Sequence, residues 1–258
     1  MKPFIHEAGK VFPQSPEATS RCFLRAWGKM CSHQPPNGRI RCVRPAFRDE
    51  AHARFREMVL GTQFSCVGAK AAFNSDSYAF HAYGQLGSLA ATQRLARDLE
   101  AFTRSSLQAA SEFATCVAVF ASPIDLSEAA FEKLLWQQLQ MLHEVDTQRW
   151  DRAVSSDPTD PHFSFSFAGQ ALYVVGMHAN SSRRARQFPW PALVFNPHVQ
   201  FEKLRSDGKW KRMQQTIRER EMQLQGSINP MIHDFGESSE ARQYSGREVN
   251  ENWRCPFH

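Results

Sequence analysis

From Phe163 to Phe195 the chain is patterned for a sheet. Phe163, Phe165 and Phe167 alternate with Ser164 and Ser166, the period of two that gives a half-buried strand one apolar face. Ala168, Gly169 and Gln170 can reverse the chain, and Leu172 to Met177 returns as a partner strand, so the spacing predicts a hairpin. Ala192 to Phe195 reads as another short strand beyond a basic loop. Helical patterns lie on both sides of these strands. Phe47, Ala51, Phe55, Met58 and Val59 recur at helical spacing before Gly61. Ser88 can cap a helix carrying Leu89, Leu95, Leu99 and Phe102 on one side. Cys116 to Ala121 is apolar enough for a buried strand. Pro123 and Ser127 open a helix striped by Phe131, Leu134, Leu135, Leu139 and Leu142. Helices from Val199 onward break near Gly208, and Trp210, Met213 and Ile217 carry the second to about Gln225. The expected fold class is α+β, a small antiparallel sheet packed with helices.

Residues 1–45 read as an irregular extension punctuated by Pro3, Pro13, Pro16, Pro35, Pro36 and Pro45, with a short helix over 18–30. Residues 46–258 read as a single domain. Its polar tail after Gln225 carries Phe235, Tyr244 and Trp253, as a long ordered segment or a lid over a site would. Apolar residues make up 42% of the 258, enough for a real core. No stretch approaches the roughly 18–20 apolar residues of a membrane span. The first 20 residues show no apolar signal core, so a cytoplasmic location is expected. Cys22, Cys31, Cys42, Cys66, Cys116 and Cys255 form no CxxC pair, which argues for reduced thiols over a disulfide scaffold or zinc site. A net charge of +5, with 26 acidic residues diluting the basic ones, favours one local anion-binding patch over nucleic-acid binding. No glycine-rich nucleotide motif is present.

The basic loop holds the most suggestive chemistry. His178 stands where an apolar strand gives way to a polar turn, and Arg183, Arg184 and Arg186 follow within eight residues. Such an imidazole can meet a heme iron while the guanidinium groups pair with propionates. It can equally be a strand-end histidine satisfied by the backbone beside a solvated loop. Cys66, among apolar neighbours, is either a thiolate ligand or an inert buried thiol. His198, after Asn196 and Pro197, suits a helix-start hydrogen bond better than a metal bond. Asp157, Asp160, Asp234, Glu237 and Glu240 sit in two loops and could pair with a cationic substrate or simply face water.

Three segments carry a resemblance: GTQFSCVGAKAAF (61–73), FSFSFAGQALYVVGMHANSSRRARQFPWPALVFNPHVQFEKLR (163–205) and SEARQYSGREVNENWRCPF (239–257). Together they resemble the YqcI/YcgG family, which includes the heme-dependent guanidino N-hydroxylases of cycloserine and guanitoxin biosynthesis. The likeness spans roughly residues 45–257, most of a domain of this size. It implies a heme b monooxygenase that uses dioxygen or peroxide and an electron donor to hydroxylate a guanidine nitrogen of L-arginine or a relative. His178 falls on the family's strand-end histidine and is the expected proximal ligand, with Cys66 as the other candidate. Arg183, Arg184 and Arg186 fall on its basic motif and would hold the propionates. Ala179 stands where proline is expected. A guanidinium pocket needs a carboxylate, expected from Asp234, Glu237 or Glu240, and the substrate's own carboxylate a cation, expected from Arg242 or Arg247. A homodimer is compatible with this, and the alternative is a non-catalytic heme sensor or carrier with both axial positions filled.

Overall fold

The computed structural model describes residues 45–108 and 113–258, all within one unit, Ile40–His258. Residues 1–44 lie outside the described residues, and with them the expected extension and its helix. Helix α1 (Pro45–Leu60) and the short α2 (Val67–Asn74) lead to β1 (Tyr78–Gln85), α3 (Leu89–Gln108), β2 (Thr115–Ser122) and α4 (Glu128–Val145). The hairpin β3 (Phe165–Phe167) and β4 (Gln170–Met177), then β5 (Ala192–Pro197), complete the strands. Helices α5 (His198–Ser206), α6 (Trp210–Gln225) and α7 (Ala241–Tyr244) follow. The fold is α+β.

The sheet runs β1-β2-β5-β4-β3. Four strands pair antiparallel as expected, but β1 lies parallel to β2, joined through α3, so the sheet is mixed. A parallel pair needs such a crossover because a tight turn cannot reverse the chain twice. Ser127 starts α4 as read from the sequence: its hydroxyl accepts from the Ala130 amide at 3.3 Å. The hairpin turns at Ala168 and Gly169, both with positive φ, the geometry that matches strand twist.

Both faces of the sheet are covered, so its central strands read as unbroken apolar runs. On one face Cys116, Ala118, Phe120, Leu172, Val174 and Leu193 pack against α3, α4 and the tail. On the other, Val117, Val119, Met177 and Val194 meet Ala51, Phe55 and Val59 of α1. The strand read as half-buried is buried on both sides. Ser164 and Ser166 are covered, and Ser166 accepts from the Asp151 amide at 2.9 Å. Leu89, placed by its spacing on a buried stripe, is 42% exposed because it opens the first turn of α3.

The tail is ordered and belongs to the core. Tyr244 is fully buried, and its hydroxyl accepts from the Phe165 amide at 2.9 Å. Phe257 packs among Trp150, Phe163 and Phe165. No helix among the described residues is long and apolar enough to cross a membrane. The described cysteines, Cys66, Cys116 and Cys255, are free thiols.

Candidate functional site

Successive residues of a strand point to opposite faces. Along β4 this sends Tyr173, Val175 and Met177 to one side and Gly176 to the other, where it meets Phe131 and Leu135 of α4. The first side looks into a cavity of about 250 Å³. Its floor is the sheet, with Val117 and Val194. Phe55, Val59 and Phe73 wall it from α1 and α2, Met213 and Ile217 from α6, and Phe235 from the tail. Cys66 opens α2 at the rim of this space. Its sulfur accepts from the Ala69 amide at 3.4 Å, in the N-cap position. Burial pushes the thiol up, against the pull of the Ala69 and Gly68 amides and of Arg220.

A band of polar groups also lines the cavity. Tyr173 donates to Gln243 Oε1 at 2.8 Å. Glu240, 5% exposed, stands 3.3 Å from His198 Nε2 and accepts from the Tyr244 hydroxyl at 3.3 Å. Glu221, 7% exposed, lies 3.5 Å from Arg183 Nη2 and accepts from the Asn229 amide at 3.1 Å. Arg186 donates to the carbonyls of Tyr244 at 2.9 Å and Gly176 at 3.3 Å. Burial raises the Tyr173 hydroxyl, and Arg186 opposes the shift. Each buried charge here has a partner, as the cost of an isolated one requires.

The residues expected from sequence divide. Cys66, Arg186 and Glu240 line the cavity; His178 does not. Its ring stacks on Phe131 at 4.5 Å between centroids, on the α4 side, and it is 2% exposed. The register of β4 gives it the parity of Gly176, so it faces away from the cavity. Arg183 donates to Ser227, and Arg184 to the Leu224 carbonyl at 3.1 Å. These two clasp the end of α6. Asp234 lies beside the wall, accepting from Trp210 and Gln214, while Glu237 is exposed and accepts from the Asp234 amide. Arg242 donates to the carbonyls of Val249 and Asn250, and Arg247 pairs with Glu132 of α4, so neither stands at the cavity. Asp157 and Asp160 shape their own turn, accepting from Thr159 and His162.

Tyr173, Gln243 and Glu221 were not singled out by sequence reasoning. Glu221 had a signal: Met213 and Ile217 are spaced by four, and the next residue in that row is this glutamate. Among the described residues no group of three or more His, Cys, Asp or Glu side chains could hold a bare metal ion.

Burial holds the His178 imidazole below its ordinary value of 6.5, against the opposing pull of Glu128 and the Leu126 carbonyl. A depressed histidine favours the fold fully above its unfolded value, and that stability is lost as pH falls from 6.5 toward the folded value. His178→Phe, which keeps a ring against Phe131, is expected to flatten the loss of stability below that pH. Urea titrations of both proteins between pH 7.5 and 5 check this. Parallel curves would contradict it.

The YqcI/YcgG family pattern matches residues 55–258, well over half the chain. The uncharacterized protein YcgG of Bacillus subtilis (strain 168) is 28% identical over 204 residues, spanning 75% of this chain and 80% of that protein. The uncharacterized protein YqcI of the same organism is 27% identical over 205 residues, spanning 76% and 80%. No solved structure matches. A pattern matched over that length, carrying the cavity, its basic clasp and the buried tail together, makes this chain a member of the YqcI/YcgG family.

Proposed function

We propose that this protein is a heme-dependent monooxygenase that hydroxylates a guanidine nitrogen of L-arginine or a related guanidino compound. The likeness of its motifs to the heme-dependent guanidino N-hydroxylases supports the reading. The observation that carries it is one apolar cavity lined by both a soft sulfur donor, Cys66, and two buried carboxylates, Glu221 and Glu240.

The residues fit an iron porphyrin through Cys66. Iron bound at the sulfur would offset the burial that keeps the thiol protonated, since a coordinating thiol gives up its proton. They do not fit it through His178, whose ring is sealed against Phe131 on the other face of the sheet. When bound, heme supplies the oxidation: one oxygen atom enters an N–H bond and the other leaves as water, with two electrons from a separate donor.

The chain's own part is to bind and orient. Glu240, held by His198 and the Tyr244 hydroxyl, can accept the paired N–H groups of a guanidinium. Tyr173 and Gln243 hold each other beside it, presenting a hydroxyl that burial keeps protonated. The phenylalanine walls keep bulk water from the reacting nitrogen. At about 250 Å³ the cavity suits a molecule of amino-acid size. It falls below the roughly 300–1,000 Å³ of ordinary small-molecule pockets, so heme alone, before any substrate, requires a wall to move outward.

The test is turnover. Purified full-length protein loaded with heme, given reductant, oxygen and L-arginine, is expected to yield hydroxyarginine by mass spectrometry. Heme-loaded protein that leaves arginine and other guanidines unaltered would overturn the proposal.

A further inference from the structure

We propose that Arg218, carried on a hinged α6, is the anion-binding residue of the cavity, so that the ligand presents a carboxylate to this helix and holds it closed. The proposal rests on the cavity being the ligand site and adds what that ligand must carry.

Helix α6 is an unusual wall. It contributes Met213, Gln214, Ile217, Arg218 and Glu221 to the cavity, yet Glu221 is its one buried residue. Helices are ordinarily fixed by an apolar stripe. This one is fastened by polar contacts near its ends. At its start Trp210 and Gln214 donate to Asp234 Oδ1 at 3.3 and 2.6 Å. At its finish Arg183 pairs with Glu221, Arg184 donates to the Leu224 carbonyl, and Gln225 donates to the Ser182 carbonyl at 2.9 Å. Gly208 and Gly226 bound it, with φ of +70° and +77° and no atom within 4 Å of where a side chain would stand. The part-exposed contacts to Asp234 exchange for water at small net cost, whereas the buried Arg183–Glu221 pair is costly to break and pins the last turns, so the helix can swing about that end.

Arg186, Arg205 and Arg218 are the arginines that line the cavity. Arg186 is satisfied by two carbonyls. Arg205 pairs with Glu202 at 2.7 Å and lies over the Trp210 ring. Arg218 is half-buried and, among the described residues, makes no hydrogen bond or ion pair. Of the nearby carboxylates, Glu221 pairs with Arg183, and Glu240 stands 3.3 Å from His198 Nε2 as the acceptor left for a substrate guanidinium, so neither is paired with Arg218. Among the described arginines that line the cavity, Arg218 is therefore the one without a partner, and it sits on the wall most able to move. A guanidinium in that position takes a carboxylate in a paired, planar contact.

An amino-acid carboxylate and a heme propionate share this chemistry, and matched pairs separate them. L-Arginine and agmatine carry the same guanidine, with and without the carboxylate; hemin and its dimethyl ester differ likewise. Affinities of wild type and Arg218→Gln for all four are measured by calorimetry, with circular dichroism as the folding control. Arg218→Gln is expected to weaken one acid about 10- to 100-fold and leave its carboxylate-free counterpart within about twofold. The pair that responds identifies the source. The responding acid is also expected to slow amide exchange over 210–225 in wild type and not in the variant. Unchanged ratios in both pairs, or a wild type that binds none of the four, overturn the assignment. If arginine is hydroxylated while both ratios stay unchanged, Arg218 alone is wrong. If arginine is never hydroxylated yet the variant loses hemin and keeps its ester, the N-hydroxylase reading fails and Arg218 stands.

Discussion

Cys66→Ser is expected to yield protein without visible heme absorbance, whereas His178→Phe keeps its colour. Cys66 reaches the cavity from the first turn of α2, and His178 is stacked on Phe131 behind the sheet. Serine retains the cap that the Ala69 amide needs, being a strong N-cap itself, so loss of heme would report the missing sulfur and not a frayed helix. The hydroxyl that replaces it is a hard donor and a poor partner for iron. The ferrous carbon monoxide form of wild type is expected at the red-shifted position of thiolate ligation, not that of imidazole. A variant at position 66 that stays fully coloured, beside a colourless His178→Phe, would show that the iron sits against the opposite face.

The largest expected loss of stability comes from one methyl group. Gly176→Ala puts a Cβ 2.7 Å from both Leu135 Cδ1 and Phe131 Cε1 and 2.8 Å from the Tyr244 carbonyl oxygen. Leu135 and Phe131 are fully buried on α4, and the carbonyl also receives Arg186, so none of the three can yield freely. Overpacking ordinarily costs about 1–3 kcal/mol, and a clash with backbone as well as two core side chains belongs at the upper end. About 3 kcal/mol corresponds to a fall in Tm of roughly 6–12 °C for a domain of this size. Gly84→Ala is the control. Nothing lies within 4 Å of its Cβ, and a change within about 0.5 kcal/mol is expected. Calorimetric scans of the two variants check both, and equal melting points would contradict the packing at β4.

The elements were more legible than their faces. Ser127, the stripe of α4 and the turn at Ala168 and Gly169 announce themselves through local chemistry, and the structure places them as read. Strand β1, YAFHAYGQ, gives no comparable signal: His81 and Gly84 interrupt it, and its partner arrives only after the twenty residues of α3. The face of β4 was hidden for another reason. Leu172, Val174, Val175 and Met177 are apolar at both parities because both sides of the sheet are covered, so period alone cannot say where position 178 looks. The arginines were visible as a group, but most of their partners are carbonyls and a glutamate brought from 38 or more residues away, which no local pattern reveals. Arg242 and Arg247 were misplaced because ordering of the tail, which sets their contacts, depends on Tyr244 and Phe257 entering the core.

Because α6 gives the interior little apolar surface, its inner row can change identity without disturbing the sheet or the helices behind it. Relatives that diverge there meet new small molecules while keeping one architecture, and a library randomised at 213, 217 and 218 should return mostly folded proteins. The helix that walls the cavity on this side is thus also the place where a new specificity can arise with the least structural disruption.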